Sequence, residues 1–348
     1  MKYANDNLKE KEYNYNLSFL KALACIAVIG LHTFMSNARI LYYLCGFSVP
    51  VFFMASGYLI FGKEKITWKY NLIKIMKIIR LILLWCVLRY CIVVDARFLL
   101  GLDTFDYEIE ILVEDIIGSF IQRGSMWQFW YLGALILIYL MSPFMQKILE
   151  GITNKKAGLI CIWGIFVVIS VSIQLVSMCL GQPIQKYVIQ TFRIWSWVQY
   201  FIAGGVVRYL AMDIVNKISE KKHLVMLITV TIVANVYQST VGKNILNIKF
   251  TEYFYDSILT IIWSFLLFTY ILRIKLPNKM RKICRKISVL TLGVYIIHPM
   301  VVWGVKEILH LDMFYPVIIV FGYVTIASFI IVYIFSKVSL INKLLFTI

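Results

Sequence analysis

Apolar blocks long enough to cross a membrane recur from one end of this 348-residue chain to the other, and that repetition limits the fold more than any single motif. A helix needs roughly 20 apolar residues to cross the hydrocarbon core. Blocks of about this length fall at 17–35, 40–61, 78–94, 128–149, 157–180, 191–211, 223–240, 252–272, 288–306 and 315–335. They predict an all-α, polytopic transmembrane helix bundle of about ten spans. Composition agrees, with 61% hydrophobic and only 15% charged residues, where a soluble domain carries about 25% charged. The chain divides into an N-terminal segment 1–16, a membrane domain 17–340 and a tail 341–348. No internal repeat is visible, so the inverted-repeat signature of many secondary transporters is missing.

The net charge of +17 does not indicate nucleic acid, because the basic residues sit in short loops between apolar blocks and not on one continuous face. That is the pattern of topology signals. Lys63, Lys65, Lys69, Lys74 and Lys77 follow the second block, Lys147, Lys155 and Lys156 flank the junction after the fourth, and Arg208, Lys217, Lys221 and Lys222 follow the sixth. The richest loop, after the eighth block, runs from Arg273 to Lys286. The positive-inside rule therefore puts both termini in the cytoplasm of a multi-pass plasma-membrane protein. The first block is too long for a signal-peptide core and reads as an uncleaved anchor. Cysteines without a CxxC pair or a histidine-rich cluster read as small apolar side chains, with no metal site. One outward loop carries Asp95, Asp103, Asp106, Glu108, Glu110, Glu114 and Asp115. It reads either as a solvated amphipathic segment or as the cover of an outward-facing site.

Polar exceptions inside the blocks are the candidates for chemistry, since an ionisable group within a span is costly and usually faces a cavity or a partner. Lys21 and His32 lie eleven residues apart in the first block, which puts them on one helix face about 16 Å apart along the axis. Lys21 can equally snorkel into the inner headgroups, and His32 can be a histidine hydrogen-bonded across helices. His298 precedes Pro299, whose missing backbone donor frees a carbonyl for the histidine to meet; the other reading is a second polar group lining the cavity that His32 faces. Lys74, Lys77 and Arg80 repeat every third residue, as an anchor at the inner interface or as a clamp for phosphates. Ser56 and Gly57 permit close helix packing. Trp127, Trp130 and Tyr131 fit an interfacial aromatic belt. Arg89 within the third block calls for a partner or a water-filled cavity.

There is no GxxxxGK[ST], HExxH or GxSxG motif, so phosphate-loop hydrolysis and zinc proteolysis are excluded as readings. Taken together the pieces resemble the acyltransferase-3 family of integral membrane O-acyltransferases. The likeness lies in Lys21, ten residues and His32, where the family has Arg in the first position. It extends to Phe53-Met54-Ala55-Ser56-Gly57-Tyr58, the basic triplet ending in Arg80, Trp130-Tyr131-Leu132, and Tyr295-x-x-His298-Pro299. Lys21 and Lys77 each stand where the family has an arginine, keeping charge but losing the bidentate fork.

The resemblance implies transfer of an acyl group, most often acetyl, from cytoplasmic acetyl-CoA or another acyl-CoA to a hydroxyl of an envelope glycan. It implies His32, Lys21 and His298 as catalytic residues, Lys74, Lys77 and Arg80 as the acyl-CoA site, and Ser56, Gly57, Trp130, Tyr131 and Tyr295 as substrate contacts. The residue chemistry fits: a basic cluster can hold the polyanionic end of CoA, and His32 can act as general base toward the acceptor hydroxyl. A covalent acyl-enzyme through His32, His298 or Ser56 is also open. Two rivals stand beside the enzyme: a transporter or flippase for an envelope glycan or lipid, and a noncatalytic subunit that binds a partner through the acidic loop.

Overall fold

The computed structural model describes residues 13–35, 38–63, 65–99 and 109–347. Every regular element among them is helical. The main helices are α1 (Tyr15–Thr33), α2 (Arg39–Leu44), α3 (Ser48–Phe61), α4 (Trp68–Leu99), α5 (Ile109–Ile121), α6 (Trp130–Glu150) and α7 (Lys155–Cys179). They are followed by α8 (Ile194–Val206), α9 (Glu220–Val241), α10 (Ile258–Arg273), α11 (Asn278–Ser288), α12 (Thr291–Trp303), α13 (Val317–Ser336) and α14 (Ser339–Leu345). Several starts are set by side chains that satisfy the free amides of a first helical turn. Asn14 accepts from Leu17 N at the head of α1, Asn154 from Ala157 N at α7, and Ser257 from Thr260 N at α10.

Each of the ten apolar blocks forms a helix, but fewer qualify as spans. Seven helical stretches among the described residues are long and apolar enough to cross a membrane. An eighth is added if α11 and the helix that follows it, bent by 64° at their junction, count together. The other two depart for simple reasons. α10 is apolar but only 16 residues long, and α4 carries Lys77, Arg80 and Arg89 within its apolar part. α4 also extends well before the predicted 78–94, because its lysine-rich first turns continue the helix on the polar side. The bend lies before Thr291 and not at Pro299, since α12 passes through that proline to Trp303.

The bundle is apolar on its outer faces, and its mainly apolar interior holds the buried polar side chains. α7 exposes Ile165, Val168 and Leu175 while burying Ser170 and Gln174, and α13 exposes Ile318, Ile326 and Ile330 while burying Ser328. A water-facing surface would reverse that distribution; a lipid-facing one requires it. α3 and α8 pack backbone to backbone. A Cβ added to Gly57 would fall 1.8 Å from the Phe201 carbonyl oxygen, and one added to Gly204 would fall 1.9 Å from that of Met54. The two glycines let the backbones touch, as small residues do between membrane helices.

Part of the acidic loop lies among the described residues. Asp103, Asp106 and Glu108 lie outside the described residues, as does the side chain of Asp95. The remainder forms the amphipathic α5, with Glu110 and Glu114 exposed and Asp115 buried. Asp115 pairs with Arg89 of α4, the one salt bridge among the described residues, and accepts from the Ser125 amide at 3.2 Å. That answers the question Arg89 raised: its partner comes from the acidic segment.

Two prolines, Pro143 and Pro299, sit past the first turn of a helix, and each frees one carbonyl four residues earlier. Pro143 frees Tyr139, whose oxygen accepts from Asn71 Nδ2 of α4 at 2.8 Å. Pro299 frees Tyr295, and the group that takes its oxygen belongs to the site.

Candidate active site

α1 and α12 run parallel through the centre of the bundle. Cys25 Sγ donates to the Thr291 carbonyl at 3.5 Å, and seven residues further along each helix His32 lies beside His298, ring centroids 5.1 Å apart. His298 is fully buried, and its Nδ1 donates to the Tyr295 carbonyl at 2.7 Å, with Val294 O at 3.2 Å. Since a carbonyl can only accept, the proton of the neutral ring is on Nδ1. Nε2 is then a bare lone pair, and it is buried without a partner among the described residues. The proline–histidine pair thus sets a tautomer: Pro299 supplies the vacant carbonyl and His298 fills it.

Gln128 holds this part of α12 in place. It sits in the short 3₁₀ turn Trp127–Phe129 ahead of α6. Its Nε2 donates to the Ile296 carbonyl at 3.2 Å, and its own carbonyl accepts from the Tyr295 hydroxyl. His32 is half-buried, with Trp127 edge-on to its ring at 5.1 Å. Unlike His298, it makes no hydrogen bond to another described residue.

Both histidines line a cavity of about 660 Å³. At one end are Lys21, Lys74, Ser288 and Thr347; past the histidines, the other end is lined by Gln190, Thr251 and Glu252. The helix directions separate these ends. Asn16, near the Lys21 end, donates to the Ile271 and Ile274 carbonyls at the C-terminal end of α10, at 2.7 and 2.6 Å, while Glu252 lies just before the N-terminal end of α10. Between them, Tyr131 stands edge-on to Tyr295 at 5.6 Å and packs on Phe53, and Trp130 packs on Trp197.

All the predicted site residues except Gly57, Lys77 and Arg80 line this cavity. Gly57 is taken up by the contact with α8. Arg80 donates to the carbonyls of Lys343 and Thr347 at 3.1 and 3.3 Å, tying α4 to the last turn of α14 and the residues after it. Ser56 reaches the cavity but donates to the Phe52 carbonyl at 2.9 Å. Sequence reasoning missed Gln128, Gln190 and Glu252. The available signal was a glutamine inside the aromatic run Trp127–Tyr131, and polar residues at the edges of blocks six and eight.

Membrane-length helices with apolar outer faces, enclosing a cavity with a histidine pair at its waist, define a membrane protein whose polar site lies inside its own bundle. The family model described as an acyltransferase domain, acyltransferase-3, matches residues 14–337, and the chain belongs to that family. It is therefore a membrane acyltransferase. No curated protein and no solved structure matches the chain.

Proposed function

We propose that the protein moves an acyl group, most often acetyl, from cytoplasmic acyl-CoA to a hydroxyl of an envelope glycan. The observation that carries this reading is the His32–His298 pair in a cavity with lysines at one end. The phosphates of CoA are drawn to Lys21 and Lys74, and a neutral pantetheine arm extends toward the histidines. His32 takes the proton from the acceptor hydroxyl as its oxygen attacks the thioester carbonyl carbon. The carbon–sulfur bond breaks, the ester forms, and the proton passes to the departing thiolate, which leaves as the free thiol. His298, its tautomer fixed by Tyr295, offers Nε2 as acceptor for the N–H of protonated His32. A positioned base of this kind contributes roughly 10²–10⁴ in rate.

In this reading the chain has ten spans with both termini in the cytoplasm of the plasma membrane. The parallel course of α1 and α12 supports it, because the first and ninth spans of such a chain must point the same way. So does the gathering of Lys21, Lys74 and Arg273 at one end. Cysteine labelling at position 282 should require permeabilised cells, and labelling at position 110 should not.

The deciding experiment uses purified protein in nanodiscs with acetyl-CoA, following release of the CoA thiol and acyl transfer to envelope glycans. Wild type should do both and His32→Ala neither. If wild type neither binds nor consumes acyl-CoA, the acyl-CoA donor and the transfer proposed from it fail.

A further inference from the structure

The acyl-transfer reading leaves one end of the cavity without a role, and that end is built differently from the other. Among the described lining residues the cations are Lys21 and Lys74, both at the donor end; the carboxylate is Glu252, at the far end. Glu252 lies in the 3₁₀ helix Thr251–Phe254, and Gln190 in the 3₁₀ helix Gln190–Phe192 ahead of α8. Gln190 Nε2 donates to Glu252 Oε2, which leaves Gln190 Oε1 as an acceptor. That oxygen has no partner, on a residue only 2% exposed.

The layer behind repeats the pattern with donors. Gln238 Oε1 accepts from Thr251 Oγ1 at 2.6 Å, and its Nε2 is unpartnered. Arg193 is 4% exposed, with Nη1 unpartnered. A buried polar group without a partner carries the full cost of its desolvation. Gln238 and Arg193 do not line the cavity, so what faces it is the unfilled Gln190 oxygen and the Glu252 carboxylate, two acceptors that ask for a ligand donating twice over a short span. Vicinal hydroxyls do that. Phe250 and Tyr255 line the same end and supply apolar walls for the C–H faces of a sugar ring.

We propose that Gln190 and Glu252 form the acceptor subsite and select an uncharged polyhydroxyl group, a neutral sugar. The proposal rests on the acyl-transfer reading and adds the acceptor's chemistry and the residues that read it. A hydroxyl donating to the carboxylate favours its charged form; an acidic sugar placed there would oppose it.

The test uses the full-length protein in nanodiscs and compares wild type, Gln190→Ala and Glu252→Gln. Acyl-CoA affinity should stay within about twofold of wild type, whereas acyl incorporation into envelope glycans should fall roughly ten- to a hundred-fold, as expected for a lost hydrogen bond to a charged group. Thermal midpoints identify a variant that merely fails to fold, and Glu252→Asp, which keeps the carboxylate, should retain more transfer than Glu252→Gln. Methyl glucoside, galactoside and mannoside should compete for transfer in wild type, and the corresponding uronates should not. Unchanged incorporation in both variants, or equal competition by neutral and acidic glycosides (including none by either), overturns the subsite. Failure of wild type to consume acyl-CoA sinks the underlying reading instead, so the two failures are distinguishable.

Discussion

His298 Nδ1 donates at 2.7 Å to the carbonyl of Tyr295, the oxygen that Pro299 leaves without a helical donor. One covalent fact, a ring nitrogen without a hydrogen, therefore settles which nitrogen of a buried histidine carries the proton. The same device occurs at Pro143, where Asn71 takes the freed oxygen of Tyr139. There it ties α4 to α6; at Pro299 it prepares a lone pair beside His32.

Pro299→Ala should separate the two effects of that proline. Alanine restores the N–H that competes with His298 for Tyr295 O, and it removes a residue unfavourable in helix interiors. Acyl transfer should fall roughly tenfold, about 1.4 kcal/mol in barrier, while the thermal midpoint in detergent holds or rises. A variant as active as wild type would show that the tautomer does not matter.

Replacing either histidine should abolish transfer without loss of protein from the membrane. His32→Gln keeps a hydrogen-bonding group but no base, and should be as inactive as His32→Ala. His298→Asn keeps a donor near Tyr295 O but lacks Nε2, and should lose roughly 10²-fold or more in rate. Retained transfer by a well-expressed His32→Ala protein would remove His32 from the chemistry.

The basic triplet should divide. Lys74 lines the cavity, so Lys74→Ala should raise the acyl-CoA requirement roughly ten- to a hundred-fold. Arg80 holds the Lys343 and Thr347 carbonyls, so Arg80→Ala should increase protease access to the C-terminal segment. Titrating acyl-CoA against each variant, with limited proteolysis in parallel, checks both. Equal effects on donor affinity would return Arg80 to the phosphate site.

Gly57→Ala should act on folding and not on substrate affinity, because a Cβ there meets backbone and not a movable side chain. Overpacking of this kind costs about 1–3 kcal/mol or more. Folded yield and thermal midpoint in detergent should drop, as they should for Gly204→Ala. A normal midpoint with a raised acceptor requirement would make Gly57 a substrate contact after all.

The Arg89–Asp115 pair predicts a cycle. Removing one partner of a buried ion pair costs about 3–5 kcal/mol, whereas replacing both by apolar residues is often neutral. Arg89→Ala and Asp115→Ala should each lower the thermal midpoint, and the double variant Arg89→Met with Asp115→Leu should recover much of it. Additive losses would mean that the two residues act separately.

The sequence by itself determined the helical class, the presence of a helix in each apolar block and the membrane character, because about twenty apolar residues in a row leave a chain few choices; α5 and α14 lie outside those blocks, as does α11 but for Ser288. It also determined the Lys21–His32 spacing, since both lie on one helix whose rise is fixed. Only the tertiary structure decided what faces what. Lys74, Lys77 and Arg80 follow one period, yet the first meets the cavity and the last meets the C-terminal segment, according to which neighbour packs on each face of α4. Gly57 and Ser56 are adjacent, and one touches α8 while the other reaches the cavity. Arg89 found Asp115, His298 found the carbonyl of its own neighbour Tyr295, and Gln190 found Glu252. Residues 62 positions apart meet there because two turns leading into α8 and α10 lie at the same end of the bundle. Helical periodicity specifies the direction of a side chain only relative to its own axis; the partner is set by how the helices pack.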